Sequence, residues 1–512
     1  MKRHRAGATY KKVWTVWARG KHRSPTENHA SQSRMSVACG KCTRLVVVLG
    51  FIAMLPGCQF LQQQNQVGLG EIYNDLAQLP DTERNPVIVI PGILGSRLVD
   101  GQTGEAVWGE TGPGGANPLK TQSLTGLALP MQPGVPLHQL RDQVRQDGPL
   151  DQLTFRVLGI PIRINAYAQL LATLGVGGFR DQNFHGSSQT NEVTYDHFTC
   201  FQFAYDWRRD ISESAALLHQ YIEDKDAYTR QQYFEQYGIE NPNIKFDIVA
   251  HSMGGMVARY YLRYGNQPLP DDGSLPELTW AGARRVGRVF LVGTPNLGST
   301  QAINEMKDGL RLSALLPRFP AAVIGTMPAA YQLFPRNEDR PLVYEDGRSP
   351  DVLSPQTWQS LGWGMADEDQ DRVLARLLPN CSQEKRRHIA LDHQAKCLSR
   401  ARQLHQALDT PALVPDGVEM HLYAGDAIKT VHQLIVDPSD GDVIEELKTA
   451  GDGTVTRTSA IAERQIEGFP RPFRMVPWTD ETFLSTDHLG LTRDRTFVDN
   501  VLNQLLASPT VQ

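Results

Sequence analysis

Apolar residues along this chain of 512 residues fall into two patterns. Short, largely apolar runs stand at 87–90, 200–204, 244–249, 289–292 and 420–423, the first wholly β-branched and closed by Pro91-Gly92. Runs of this length predict buried strands. Between them apolar residues return at helical spacing, as over about 254–264, a segment stopped by Gly265. Near the end, Phe497, Val498, Val501, Leu502, Leu505 and Leu506 fall on one helix face. Alternation of the two patterns over such a length predicts an α/β protein whose mostly parallel sheet is covered by helices.

One apolar run differs in kind. Residues 1–34 carry nine Lys and Arg against the single acid Glu27, Lys41 and Arg44 follow, and LVVVLGFIAML occupies 45–55. Eleven residues are too few to cross a bilayer, which takes about 20, but they suit the core of a secretory signal. The ending Leu55-Pro56-Gly57-Cys58 resembles a bacterial lipobox, in which the cysteine becomes the lipid-bearing first residue; plain cleavage is the alternative. Gln59 stands where an aspartate would favour inner-membrane retention, and Met35 would make a shorter start. Residues 1–57 thus read as leader, 58–84, with QFLQQQNQVG at 59–68, as a tether, and 85–512 as the working domain. The expected location is the cell envelope, as an outer-membrane lipoprotein held through Cys58 or a periplasmic protein.

Composition changes this picture in one respect. With 40% hydrophobic and 21% charged residues the chain is neither disordered, collagen-like nor a polytopic membrane protein. Its net charge of −5 hides the basic leader: without residues 1–57, 40 basic and 55 acidic side chains remain, about −15. A nucleic-acid partner is therefore not supported. Of six cysteines, Cys39 and Cys42 form a lone CxxC in the leader, Cys200 sits in an apolar run, and Cys381 and Cys397 either pair in an oxidising compartment or stay free. No metal-ligand cluster or phosphate-binding loop is evident, so no cofactor is implied.

The chemical signal is Ala250-His251-Ser252-Met253-Gly254-Gly255, between a strand and a helix. A serine at so sharp a turn needs tiny residues two positions away on either side, and Ala250 and Gly254 supply them. The alternative is a helix N-cap serine. A nucleophilic serine needs a base, and the base an orienting acid. His488 is the only histidine after the glycine-flanked Asp452, which makes Ser252, Asp452 and His488 the candidate triad. Asp426 is the rival acid, Asp487 reads as a turn residue, and His251 reads as packing at the elbow. The amides of Met253 and Ile93, the latter in Pro91-Gly92-Ile93-Leu94-Gly95, are candidate oxyanion donors.

These blocks, with Tyr205-Asp206-Trp207-Arg208 and Gly293-Thr294-Pro295, resemble the lecithin:cholesterol acyltransferase family and its bacterial lipoprotein relatives. The resemblance is patchy over about residues 86–506 but keeps the family order. It implies an α/β-hydrolase fold, acyl chemistry on a lipid ester through that triad, and a bracing role for the tetrad, with Asp206 and Arg208 as minor catalytic candidates. Two departures are Ala250 in place of the elbow's usual glycine and the lack of a cysteine pair within 96–160 to close a lid loop.

Insertions near 107–158, with Trp108, and 306–335, with Leu310, Leu312, Leu315, Leu316, Phe319, Val323 and Ile324, could cap the site. The second is apolar enough to line an acyl groove and gate lipid access, or to pack as a core helix. Three functions compete: a lipid-ester hydrolase or acyltransferase, a small-ester or thioester hydrolase, and a non-catalytic envelope lipoprotein. Head group, acyl acceptor and oligomeric state are not legible.

Overall fold

The computed structural model describes Ala77 and residues 80–109, 120–150, 152–157, 160–165, 167–183, 197–311, 317–464 and 472–507. The leader, Cys58, most of the expected tether, and Leu312, Leu315 and Leu316 lie outside the described residues.

Six strands form the central sheet: β1 (Val87–Ile90), β2 (Cys200–Gln202), β3 (Phe246–His251), β4 (Val286–Val292), β5 (Glu419–Gly425) and β6 (Asp480–Leu484). Their order is β6-β5-β4-β3-β1-β2, and every neighbouring pair is parallel. Each apolar run of the sequence is one of these strands, with β3 extending to His251 and β2 ending at Gln202. The sixth strand, DETFL, escapes apolar patterning because it is an edge strand of mostly half-buried positions.

Alternation along β1 shows why the sheet is covered twice. Ile88 and Ile90 join a core with Ile211, Leu218 and Ile222 of α1 (Ile211–Tyr237) and Met256, Val257 and Tyr260 of α2 (Met253–Tyr264). Val87 and Val89 face the other side, against Phe497, Val501, Leu502 and Leu505 of the terminal helix, Arg495–Ala507. Successive strand side chains point to opposite faces, so only an element apolar on both faces survives in the middle of a helix-covered parallel sheet. The fold class is thus the helix-covered parallel α/β sheet that the apolar runs predict, in keeping with the α/β-hydrolase fold that the resemblance implies.

Two structural findings bear on points that the sequence left open. Cys381 and Cys397 are both free. Cys397 is buried within the helix Gln383–Asp409, whereas Cys381 lies just before that helix begins. At 1.5 Å per residue the intervening helix holds them roughly 20 Å apart, far beyond disulfide reach. The expected tether also ends in packed residues: Asp81 and Arg84 are buried, Arg84 pairs with Asp81 at 2.7 Å, and Arg180 and His197 close on the same carboxylate. Apolar patterning cannot reveal such an anchor because its binding groups are charged.

Candidate active site

Parallel register brings the carboxyl ends of β1, β3, β4, β5 and β6 to one edge, and Ile93, Ser252 and His488 follow β1, β3 and β6 there. Ile90 pairs with Ala250, His251 with Val292, Val292 with Tyr423, and Gly425 with Leu484. This edge is where ligands bind in open α/β sheets.

Ser252 is the turn between β3 and α2. Its φ of 54° and ψ of −127° lie in a region that non-glycine residues avoid, so the elbow is strained. Its tight packing explains the small neighbours: a Cβ on Gly254 would lie 2.5 Å from the Pro91 carbonyl oxygen and 2.6 Å from that of Ile90. A Cβ on Gly92 would lie 2.8 Å from the Ser252 Cβ, so the loop after β1 abuts Ser252 itself. In that loop the Gly95 amide donates to the Gly92 carbonyl at 3.1 Å, Leu94 takes φ 67°, and Trp108 Nε1 donates to the Leu94 carbonyl at 2.9 Å. Ile93 thus heads a fixed turn beside Ser252, while Met253 begins α2, where first-turn amides have no partner within the helix.

His488 Nε2 lies 2.9 Å from Ser252 Oγ, and its Nδ1 lies 2.8 Å from Asp452 Oδ2. Asp452 Oδ1 accepts from the Thr454 amide at 2.9 Å and the Val455 amide at 2.7 Å. Burial works to raise this carboxyl, but the imidazole and the two amides outweigh it and hold it below the ordinary aspartate value. The structure therefore brings the three singled-out side chains into one relay.

Asp426, the rival acid, follows β5 directly but makes no such contact: its amide reaches the Leu484 carbonyl at 3.4 Å. Instead an antiparallel hairpin, Ile428–Val436 with Val443–Gly451, leaves the sheet there and returns. Its last pair, Ile428 with Gly451, sets Asp452 against Gly425, where an added Cβ would come within 2.6 Å of the Asp452 Cβ. Thr430 Oγ1 accepts the Gly453 amide at 2.8 Å and fixes the acid loop. Asp487 accepts the Gly490 amide at 2.7 Å and shapes the turn after His488.

The tetrad ties the first loop to the insertions. Tyr205 donates its hydroxyl to the Pro91 carbonyl at 2.8 Å, and Trp207 Nε1 donates to the Ser96 carbonyl at 3.2 Å. Arg208, fully buried, bonds both oxygens of Asp206 and also Asp142 at 2.8 Å. Trp108, Trp207 and Phe319 then meet ring to ring, joining both insertions.

Ser252 and His488 open into a cavity of about 310 Å3. Its wall opposite the sheet comes from the second insertion: Leu310, Ile324, Met327, Ala330 and Leu333. Phe319 and Val323 of the same segment are instead fully packed in the core, so this insertion is partly groove and partly core. Glu305 interrupts the apolar lining; burial raises its carboxyl against the pull of Gln301 and His488. Among the described residues no group of three metal-ligating side chains is present and no helix is long and apolar enough to cross a membrane.

Sequence reasoning missed Tyr167, whose hydroxyl accepts the Gly92 amide at 2.8 Å and lies 3.0 Å from His251 Nδ1. No local motif marks it. His251 does pack at the elbow, and its Nε2 lies 3.1 Å from the His488 carbonyl oxygen.

Comparison with known proteins follows the same division. The lecithin:cholesterol acyltransferase family model matches residues 190–352, a stretch that holds the tetrad, the elbow and Gly293-Thr294-Pro295 but ends before Asp452 and His488. No curated protein matches the chain. A chain from the crystal structure of the Tle4–Tli4 complex is similar in fold, with TM-score 0.53 at 17% identity over 83% of this chain and 99% of that one. The family match supports hydrolase or acyltransferase activity on lipid acyl esters in general. Over residues 190–352 the chain is thus similar to the lecithin:cholesterol acyltransferase family, and its fold is that of an α/β-hydrolase.

Proposed function

We propose that the protein is a serine-dependent hydrolase or acyltransferase that cleaves lipid esters through an acyl-enzyme on Ser252. The observation that carries this reading is the hydrogen-bonded Asp452, His488 and Ser252 relay at the floor of a mostly apolar cavity.

His488 Nε2 takes the hydroxyl proton as Ser252 Oγ attacks the ester carbonyl, and Asp452 holds the tautomer that leaves Nε2 free to accept. The carbonyl oxygen becomes an oxyanion, for which the amides of Ile93 and Met253 are the donors. Collapse expels the alcohol, which receives the proton from His488, and leaves the acyl chain on Ser252. Water or an acceptor alcohol then gives its proton to His488 and attacks the acyl-enzyme, releasing Ser252 with its proton restored.

The apolar wall around Leu310, Ile324 and Leu333 favours a long acyl chain over a small ester. A fluorophosphonate probe should label the wild type and not Ser252→Ala; equal labelling of both would overturn the assignment. Turnover of long-chain phospholipid should exceed that of a short-chain ester at equal concentration of labelled sites; the reverse would favour the small-ester reading. The leader and Cys58 make the protein an exported envelope lipoprotein in the same proposal, and metabolic labelling with palmitate that persists in Cys58→Ser would refute the anchor.

A further inference from the structure

Beside Ser252 lies a second polar chain, whose Tyr167 and His251 also border the cavity, that the reaction above does not use. Gly92 donates its amide to the Tyr167 hydroxyl at 2.8 Å, that hydroxyl lies 3.0 Å from His251 Nδ1, and His251 Nε2 lies 3.1 Å from the carbonyl oxygen of His488. The His488 carbonyl only accepts, so His251 carries a proton on Nε2. With the buried imidazole neutral, Nδ1 accepts from the Tyr167 hydroxyl, whose oxygen takes the Gly92 amide, and all three bonds are satisfied.

The setting keeps that arrangement stable. Tyr167 and His251 are buried, their rings meet edge to face at 5.7 Å, and the His251 ring lies 4.9 Å from that of His488. Burial, helped by the neighbouring His488, lowers His251 to about 3, and burial raises the Tyr167 hydroxyl, so neither group changes charge near neutral pH. Each end of the chain touches a reacting segment: Gly92 precedes the oxyanion donor Ile93, His251 precedes Ser252, and the last acceptor is the base's own carbonyl.

We infer that Tyr167 and His251 are positioning residues forming a neutral strut that holds the oxyanion loop and the loop of His488 in register across Ser252. This rests on the proposed acyl-enzyme reading. Without the strut, alignment between base and oxyanion donors is lost. The strut therefore acts on the rate of acylation rather than on substrate affinity.

The test uses the full chain with Tyr167→Phe, His251→Met, His251→Gln and the double variant Tyr167→Phe/His251→Met. A glutamine side chain in place of the imidazole would offer both an acceptor toward Tyr167 and a donor toward His488, whereas methionine offers neither. Tyr167→Phe and His251→Met should each lower kcat by about 10- to 100-fold with KM unchanged, as sub-ångström misplacement of reacting groups does. His251→Gln should restore most of the rate. The double variant should be no slower than the slower single one, because either substitution already breaks the chain. Additive losses, a change confined to KM, or a His251→Gln variant as slow as His251→Met would each overturn the strut. If Tyr167→Phe does not fold, the contrast between His251→Gln and His251→Met still decides. Ser252→Ala labelled like wild type would instead sink the acyl-enzyme reading, a result distinct from harmless strut variants.

Discussion

The Ser252 half of the site, the proposed nucleophile, and the Asp452–His488 half, the proposed acid and base, are built in opposite ways. Ser252 and the Ile93 turn sit within three residues of strand ends, held by backbone sterics among Pro91, Gly92 and Gly254. Asp452 arrives only after a hairpin of more than twenty residues, and His488 by a loop after β6; they are held by side-chain hydrogen bonds. The first half stores strain in φ and ψ, and the second stores order in pairing. One is broken by adding an atom, the other by removing a bond.

The largest expected effect breaks the second half at its centre. Asp452→Asn keeps the shape of the side chain but favours the wrong imidazole tautomer, and kcat should fall by about 10^3- to 10^4-fold. Asp426→Asn should leave the rate unchanged; equal losses at the two positions, measured as acylation rate, would show that the hairpin does not assign the acid. The same carboxylate shapes stability against pH. Its folded value is held below the unfolded one, so its contribution is complete above the ordinary aspartate value and is lost as pH falls through the lower folded value. Acid unfolding of Asp452→Asn should accordingly be less steep over that window than that of wild type.

Next comes a break in the first half by one added methyl group. Gly254→Ala would push on the Ile90 and Pro91 carbonyls, for about 1–3 kcal/mol of overpacking. Thermal unfolding should show the loss of stability, and labelling should slow because Ile93 moves with Pro91. A variant with wild-type stability and rate would mean that the elbow is not sterically set.

The smallest effect sharpens the comparison. Thr430→Val is nearly isosteric yet leaves the Gly453 amide without its acceptor, at about 1–3 kcal/mol. Labelling should slow far less than in Asp452→Asn, because the Asp452 oxygens keep the Thr454 and Val455 amides.

Legibility followed the same division. The apolar runs of five strands and the elbow were plain because backbone sterics and period-two burial act over a few residues. Helices α1 and Gln383–Asp409 were not, since their buried faces use Asp226 and Thr229 in one and His393, Gln394, Cys397 and His405 in the other, so the apolar stripe is diluted. Asp452 over Asp426 was a weighing of motif contexts until the hairpin register placed one beside the imidazole. Tyr167 had no signal at all.

The sequence alone therefore determined what neighbours on the chain decide: which segments are buried strands, and where a strained serine turn needs alanine and glycine around it. Tertiary structure alone decided which acid meets His488, that Cys381 and Cys397 stand apart, and that Tyr167 joins Gly92 to His251. Those choices depend on contacts between residues 36 to more than 80 positions apart, or on the rigid length of a helix, and no local pattern of side chains encodes such distances.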